Sequence, residues 1–104
     1  MTALQIDRTM ADFAARAGDA ASLLKALANE KRLMILCSLA ERGEMNVTEL
    51  CGEVGLSQSA LSQHLARMRE EKIIGFRRDG QTIFYRVIDR NVNRLLKTLK
   101  SIFC

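Results

Sequence analysis

The stretch NVTELCGEVGLSQSALSQHLARMREE, residues 46–71, decides the fold. Asn46 and Glu49 stand at the N-cap and N3 positions of a capping box. There the Asn side chain accepts from one orphan helical N–H and the Glu carboxylate accepts from another. A short helix is predicted from that point through Val54. Gly55-Leu56-Ser57 follows as a tight turn, with Gly55 supplying a permissive backbone, Leu56 an apolar plug and Ser57 the cap of the next helix. That helix runs from Gln58 to about Glu71. Two short helices joined by a glycine-containing turn make the pattern of a helix-turn-helix over residues 47–71.

The second helix has two unlike faces. On a helical wheel Leu61, Leu65 and Met68 point one way, while Ser59, Gln63, Ala66 and Arg67 point the other, with Gln58 and Ser62 on the flanks. An ordinary solvent-facing helix more often carries Lys and Glu. A Ser/Gln face suits the major groove: Gln pairs bidentately with adenine, Ser bonds base edges or phosphate, and Ala meets the thymine methyl. His64 lies on the flank turned toward the core, where packing or a phosphate contact fits it better than catalysis or metal binding.

After Lys72 the period changes. Ile73-Ile74-Gly75-Phe76-Arg77-Arg78 and Gln81-Thr82-Ile83-Phe84-Tyr85-Arg86-Val87 are rich in β-branched and aromatic residues, and Asp79-Gly80 separates them. A two-residue Asp-Gly between such runs signals a β-hairpin, which predicts a wing over residues 73–87. Arg77, Arg78 and Gln81 at its tip are placed to reach phosphate or the minor groove, with Arg69 and Lys72 as further phosphate candidates.

Working outward, Asn29 caps a central helix over Glu30–Glu41 that is apolar on most sides. Before it, residues 10–28 read as a helix with Met10, Phe13, Ala17, Ala20, Leu24 and Leu27 on one seam. After the wing, Asp89 caps a final helix over residues 89–103, whose stripe of Val92, Leu95, Leu96, Leu99, Ile102 and Phe103 opposes Arg90, Arg94, Lys97 and Lys100. These two outer helices carry more apolar stripe than so small a domain hides. They are predicted to build an isologous homodimer, which sets two reading helices on the half-sites of a palindromic double-stranded operator.

The expected fold class is therefore mainly α with a β-hairpin, a winged helix-turn-helix, as one domain over residues 1–104. Charge agrees with a polyanionic partner. Residues 1–57 carry 6 basic and 8 acidic side chains, whereas residues 58–104 carry 10 basic and 4 acidic, so the net +4 is gathered in the reading half. No apolar run is long enough to cross a bilayer and no secretory signal opens the chain, so a cytoplasmic location without membrane contact is expected. Cys37, Cys51 and Cys104 form no C-x-x-C, and no base stands beside a nucleophile. An enzyme is not expected, nor is a cofactor.

The segments Leu24-Leu-Lys-Ala-Leu-Ala-Asn-Glu-Lys-Arg-Leu33, Leu56-Ser-Gln-Ser-Ala-Leu-Ser-Gln-His-Leu65 and Gln81-Thr-Ile-Phe-Tyr85 resemble the ArsR/SmtB family of bacterial repressors. The resemblance covers the chain from about residue 15 to its end. It implies a dimeric winged helix that leaves its operator when an inducer binds. The usual inducer there is a metal ion, but the family's ligand positions hold Asn46 and Thr48 on the helix before the turn. The last helix carries no His and one Asp. Three or four clustered ligands are absent, and no metal site is expected.

Leu36-Cys37 together with Ile102-Phe103-Cys104 resembles the thiol-sensing branch of that family. The resemblance implies that reactive sulfur species or oxidants link Cys37 to Cys104 through sulfur atoms and so relieve DNA binding. Read from the residues alone, Cys37 shares a face with Leu33, Leu36 and Ala40 and looks like an inert small hydrophobe. Cys104 lies off its helix's apolar stripe and is expected to be accessible, with Arg and Lys neighbours that favour the thiolate. Cys51 is read as a packing residue. The alternative is a regulator or anti-silencer of the same fold whose thiols are incidental.

Overall fold

The computed structural model describes the backbone of residues 3–104 and the side chains of residues 9–104. Local capping chemistry sets the element boundaries. Helix α1 spans Ala3–Leu27, starting earlier than the apolar seam alone indicates. Asn29 then accepts from the Arg32 N–H at 3.0 Å and opens α2, Glu30–Arg42. Gly43 closes α2 with φ +86, a conformation glycine takes without a Cβ penalty.

The two-residue strand β1, Met45–Asn46, leads into α3, Val47–Val54. The capping box forms as its residues dictate: Glu49 N–H donates to Asn46 Oδ1 at 2.9 Å, and Asn46 N–H donates to Glu49 Oε1 at 3.0 Å. Gly55 takes the left-handed conformation, φ +68, and turns the chain toward Ser57. The Ser57 hydroxyl accepts from the Ala60 N–H at 3.1 Å and starts α4, Gln58–Glu70. Strands β2, Ile74–Asp79, and β3, Thr82–Val87, follow, and α5, Arg90–Phe103, ends the fold. Asp89 caps α5 by accepting from the Asn91 and Val92 N–H groups.

The sheet is antiparallel with order β1-β3-β2. It holds two departures from the sequence reading. Strand β1 is too short to carry an alternating pattern, and it pairs Met45 with Tyr85 at the inner edge of the hairpin. The hairpin turn is Gly80-Gln81, not Asp79-Gly80, because Asp79 still pairs with Thr82. Gly80 has φ +63 at the first central position, where a two-residue turn of the II′ kind demands glycine.

The core forms where α2 meets α3, α4, the sheet and α5. Ile35, Leu36 and Leu39 of α2 are fully buried, together with Leu50, Leu61, Met68 and Val92. Each such side chain contributes about 1.5–3 kcal/mol by leaving water, and this packing fixes α4 against the sheet. Outside the core, Met10, Phe13 and Leu24 of α1 are 60%, 60% and 58% exposed, and Ile102 and Phe103 of α5 are 65% and 80% exposed. The stripes of α1 and α5 thus begin in the core at Leu27, Val92 and Leu96 and run out of it uncovered. Among the described residues no helix is long and apolar enough to cross a membrane.

Candidate nucleic-acid interface

Gln58, Ser59, Ser62 and Gln63 all stand exposed on α4, opposite the buried Leu61, Leu65 and Met68. The faces fall where the helical wheel puts them because the 3.6-residue period holds through the whole helix. The first turn of α4 carries no acidic side chain, so the positive end of its dipole and its free N–H groups meet an approaching phosphate unopposed. His64 is half-buried, and that burial, with Arg32 and Arg67 nearby, holds its pKa below the usual imidazole range. It is neutral at physiological pH.

Arg67 is placed differently from the Ser/Gln group. It pairs with Glu71 one turn on, Nε to Oε1 at 3.3 Å, and lines a crevice against α1. The two wing arginines also divide. Arg77 donates to Glu44, with its guanidinium 4.6 Å from the centre of the Phe84 ring. Arg78 is exposed and has no ion pair among the described residues, and Gln81 lies exposed in the turn beside it. Thus Arg78 and Gln81, not Arg77, form the free tip. Arg69 stacks 4.3 Å over the Phe76 ring and braces the root of the wing on α4, a contact its position on the helical wheel does not reveal. Lys72 joins α4 to β2 with φ +60, the one non-glycine residue of positive φ among the described residues.

The thiols lie elsewhere. Cys37 is exposed, against the expectation of an inert buried residue, because the neighbouring α5 leaves a groove open beside it. That groove, about 480 Å³, is lined by Leu33, Cys37, Lys97, Lys100, Phe103 and Cys104 among others. The structure therefore brings Cys37 and Cys104 to one cavity. The groove walls push the Cys37 pKa up by desolvation, Cys104 and Glu41 push it the same way, and Lys100 opposes them. Cys51 is half-buried against the core, as a packing residue would be. Among the described residues no three His, Cys, Asp or Glu side chains converge as a metal site would need.

A capped helix-turn-helix followed by a hairpin wing defines the winged-helix class of DNA-binding proteins. Comparison with known proteins agrees. Residues 29–74 match the model of the bacterial regulatory protein, arsR family. The chain is 46% identical, over 91% of its length and 96% of the relative's, to the HTH-type transcriptional regulator YgaV of Escherichia coli K12. Its fold matches the crystal structure of HlyU from Vibrio vulnificus with a TM-score of 0.86 and 43% identity, covering 92% of this chain and 99% of that one. The transcriptional repressor BigR from Xylella fastidiosa gives 0.85 and 41%, over 91% of this chain and 96% of that one. The chain belongs to the ArsR family of bacterial regulatory proteins, as a DNA-binding transcriptional regulator and not an enzyme.

Proposed function

We propose that the chain is a homodimeric repressor of a palindromic operator, released when Cys37 and Cys104 become linked through sulfur. The observation that carries this reading is the shared groove: two thiols far apart in sequence line one cavity between the central helix α2 and the outer helix α5. The exposed stripes of α1 and α5 support the dimer, since apolar surface of this kind is stabilised by a twofold partner. Gln58, Ser59, Ser62 and Gln63 read base edges from the major groove. Arg78 and Gln81 engage the backbone from the wing, and Arg67 joins them by exchanging Glu71 for phosphate, while Arg77 stays on Glu44 and holds the wing in place.

The inducer is a low-molecular-weight persulfide. Each cysteine takes the outer sulfur of one persulfide molecule and releases the corresponding thiol. The two cysteine persulfides then combine, expelling hydrogen sulfide and leaving a three-sulfur bridge; the transferred sulfane sulfur is the oxidant and leaves reduced as the sulfide. Linking α2 to α5 changes the spacing of the two α4 helices across the dimer axis, so linked protein binds the operator more weakly. Intact-mass measurement after treatment with glutathione persulfide tests the chemistry. The expected gain per chain is one sulfur atom less two hydrogens, absent in Cys37→Ser and Cys104→Ser. Protein that leaves its operator under persulfide without either cysteine would place the switch elsewhere, and protein indifferent to persulfide would favour a thiol-independent regulator.

A further inference from the structure

Arg32 is 8% exposed, yet no carboxylate pairs with it among the described residues. Its Nη1 donates to the Ala26 carbonyl at 3.2 Å, while its Nε is buried without an acceptor. A buried guanidinium that lacks a counter-charge is strongly disfavoured, and this one stands at the start of the central helix. It lines a crevice of about 460 Å³ between α1 and the last turn of α4, together with Lys25 and Arg67. The two carboxylates of the crevice are already engaged. Glu71 pairs with Arg67, and Asp89 accepts from the first N–H groups of α5. Lys25 has no ion pair among the described residues.

We propose that this crevice binds a small soluble oxyanion, a carboxylate or phosphate group, with Arg32 as its principal donor and Lys25 as its second charge. A planar guanidinium with Nη1 on a carbonyl keeps its second terminal nitrogen for an oxyanion. A turn of the side chain on binding brings the buried Nε into the two-pronged fork that carboxylate and phosphate oxygens fit. The bound anion draws Arg67 away from Glu71 and thereby changes the last turn of the reading helix. The site is separate from the groove of Cys37 and Cys104 and operates on fully reduced protein.

His64 provides the readout. It is the chain's single histidine, and both Arg32 and Arg67 act on its charge, so its imidazole signal in proton NMR reports the crevice. Reduced full-length protein is titrated with inorganic phosphate and, separately, with succinate, chloride holding the ionic strength constant. A saturable shift of the His64 signal and a saturable rise in Tm are expected. The two anions distinguish a phosphate group from a carboxylate as the preferred ligand, either of which supports the site. Lys25→Ala weakens binding about tenfold, the weight of one charge-assisted hydrogen bond, and Arg32→Gln abolishes it. Lys97→Ala, in the other cavity, leaves it unchanged. If Arg32→Gln fails to fold, Lys25→Ala and Arg67→Ala still decide. Linear, unsaturating shifts with both anions, or equal affinity in Lys25→Ala and wild type, overturn the proposal.

Discussion

Arg77 Nε donates to both carboxylate oxygens of Glu44, at 3.1 and 2.8 Å, across 33 residues of sequence. This contact ties β2 of the wing to the residue before β1, and the Phe84 ring beneath the guanidinium holds it there. Two arginines adjacent in sequence therefore do different work. Arg77 anchors the wing, and Arg78 on the opposite strand face is free to meet a phosphate.

Salt dependence separates the two. Each phosphate neutralised by a cation contributes close to one unit to the slope of log affinity against log salt. Arg78→Ala is expected to reduce that slope by about one per protomer, while Arg77→Ala leaves it nearly unchanged. Glu44→Gln releases Arg77 toward the duplex and steepens it. Fluorescence anisotropy across a salt series measures all three, and equal slopes for the two alanine variants would contradict the division.

Gln63 stands at the centre of the exposed face of α4, where a bidentate contact to one base is available. Gln63→Ala should relax selectivity at a single base pair in each half-site by about 1–3 kcal/mol while leaving Tm within error. Competition with operators substituted one position at a time reads this directly. Uniform weakening across all positions would assign Gln63 to the backbone.

Lys72 occupies the left-handed region at the end of α4, where a Cβ costs about 1–2 kcal/mol. Lys72→Gly is expected to stabilise the protein by about 1 kcal/mol in a urea titration and to weaken DNA binding at low salt. A loss of stability would show that the lysine side chain, not the backbone, governs that turn.

Cys37 carries a pKa raised by desolvation first and by its neighbours second. Its thiolate is therefore scarce at neutral pH, and alkylation by iodoacetamide should accelerate up to a midpoint above the ordinary thiol range. Glu41 raises this pKa and Lys100 lowers it. Glu41→Gln should move the midpoint down and Lys100→Gln should move it further up, as resolved by mass spectrometry of the labelled peptide. Midpoints that respond to neither change would mean the groove is not closed around the thiol in solution.

How much of this was legible in the sequence follows from how far apart the interacting residues lie. The helix starts rest on contacts two or three residues long, so Asn29, Asn46, Ser57 and Asp89 announced them, and each forms its cap. The exposed side of α4 was likewise written in a local period. The true turn at Gly80-Gln81 was not, because the choice between two adjacent pairs depends on the register of the whole hairpin. The exposure of Cys37 depends on where α5 packs, and the burial of Arg32 on the approach of α1, neither of which leaves a local signal. Glu44 gave no signal either, because its partner Arg77 lies on a distant strand.

The most direct measurement is a titration of reduced protein onto a fluorescent duplex from the gene's own upstream region, with the mass of the complex determined by sedimentation. Two chains per duplex, binding that weakens steeply with salt, and preference for an inverted repeat over a scrambled duplex are the expected results. A single chain per duplex, or equal affinity for repeat and scramble, would contradict a paired set of α4 helices reading DNA.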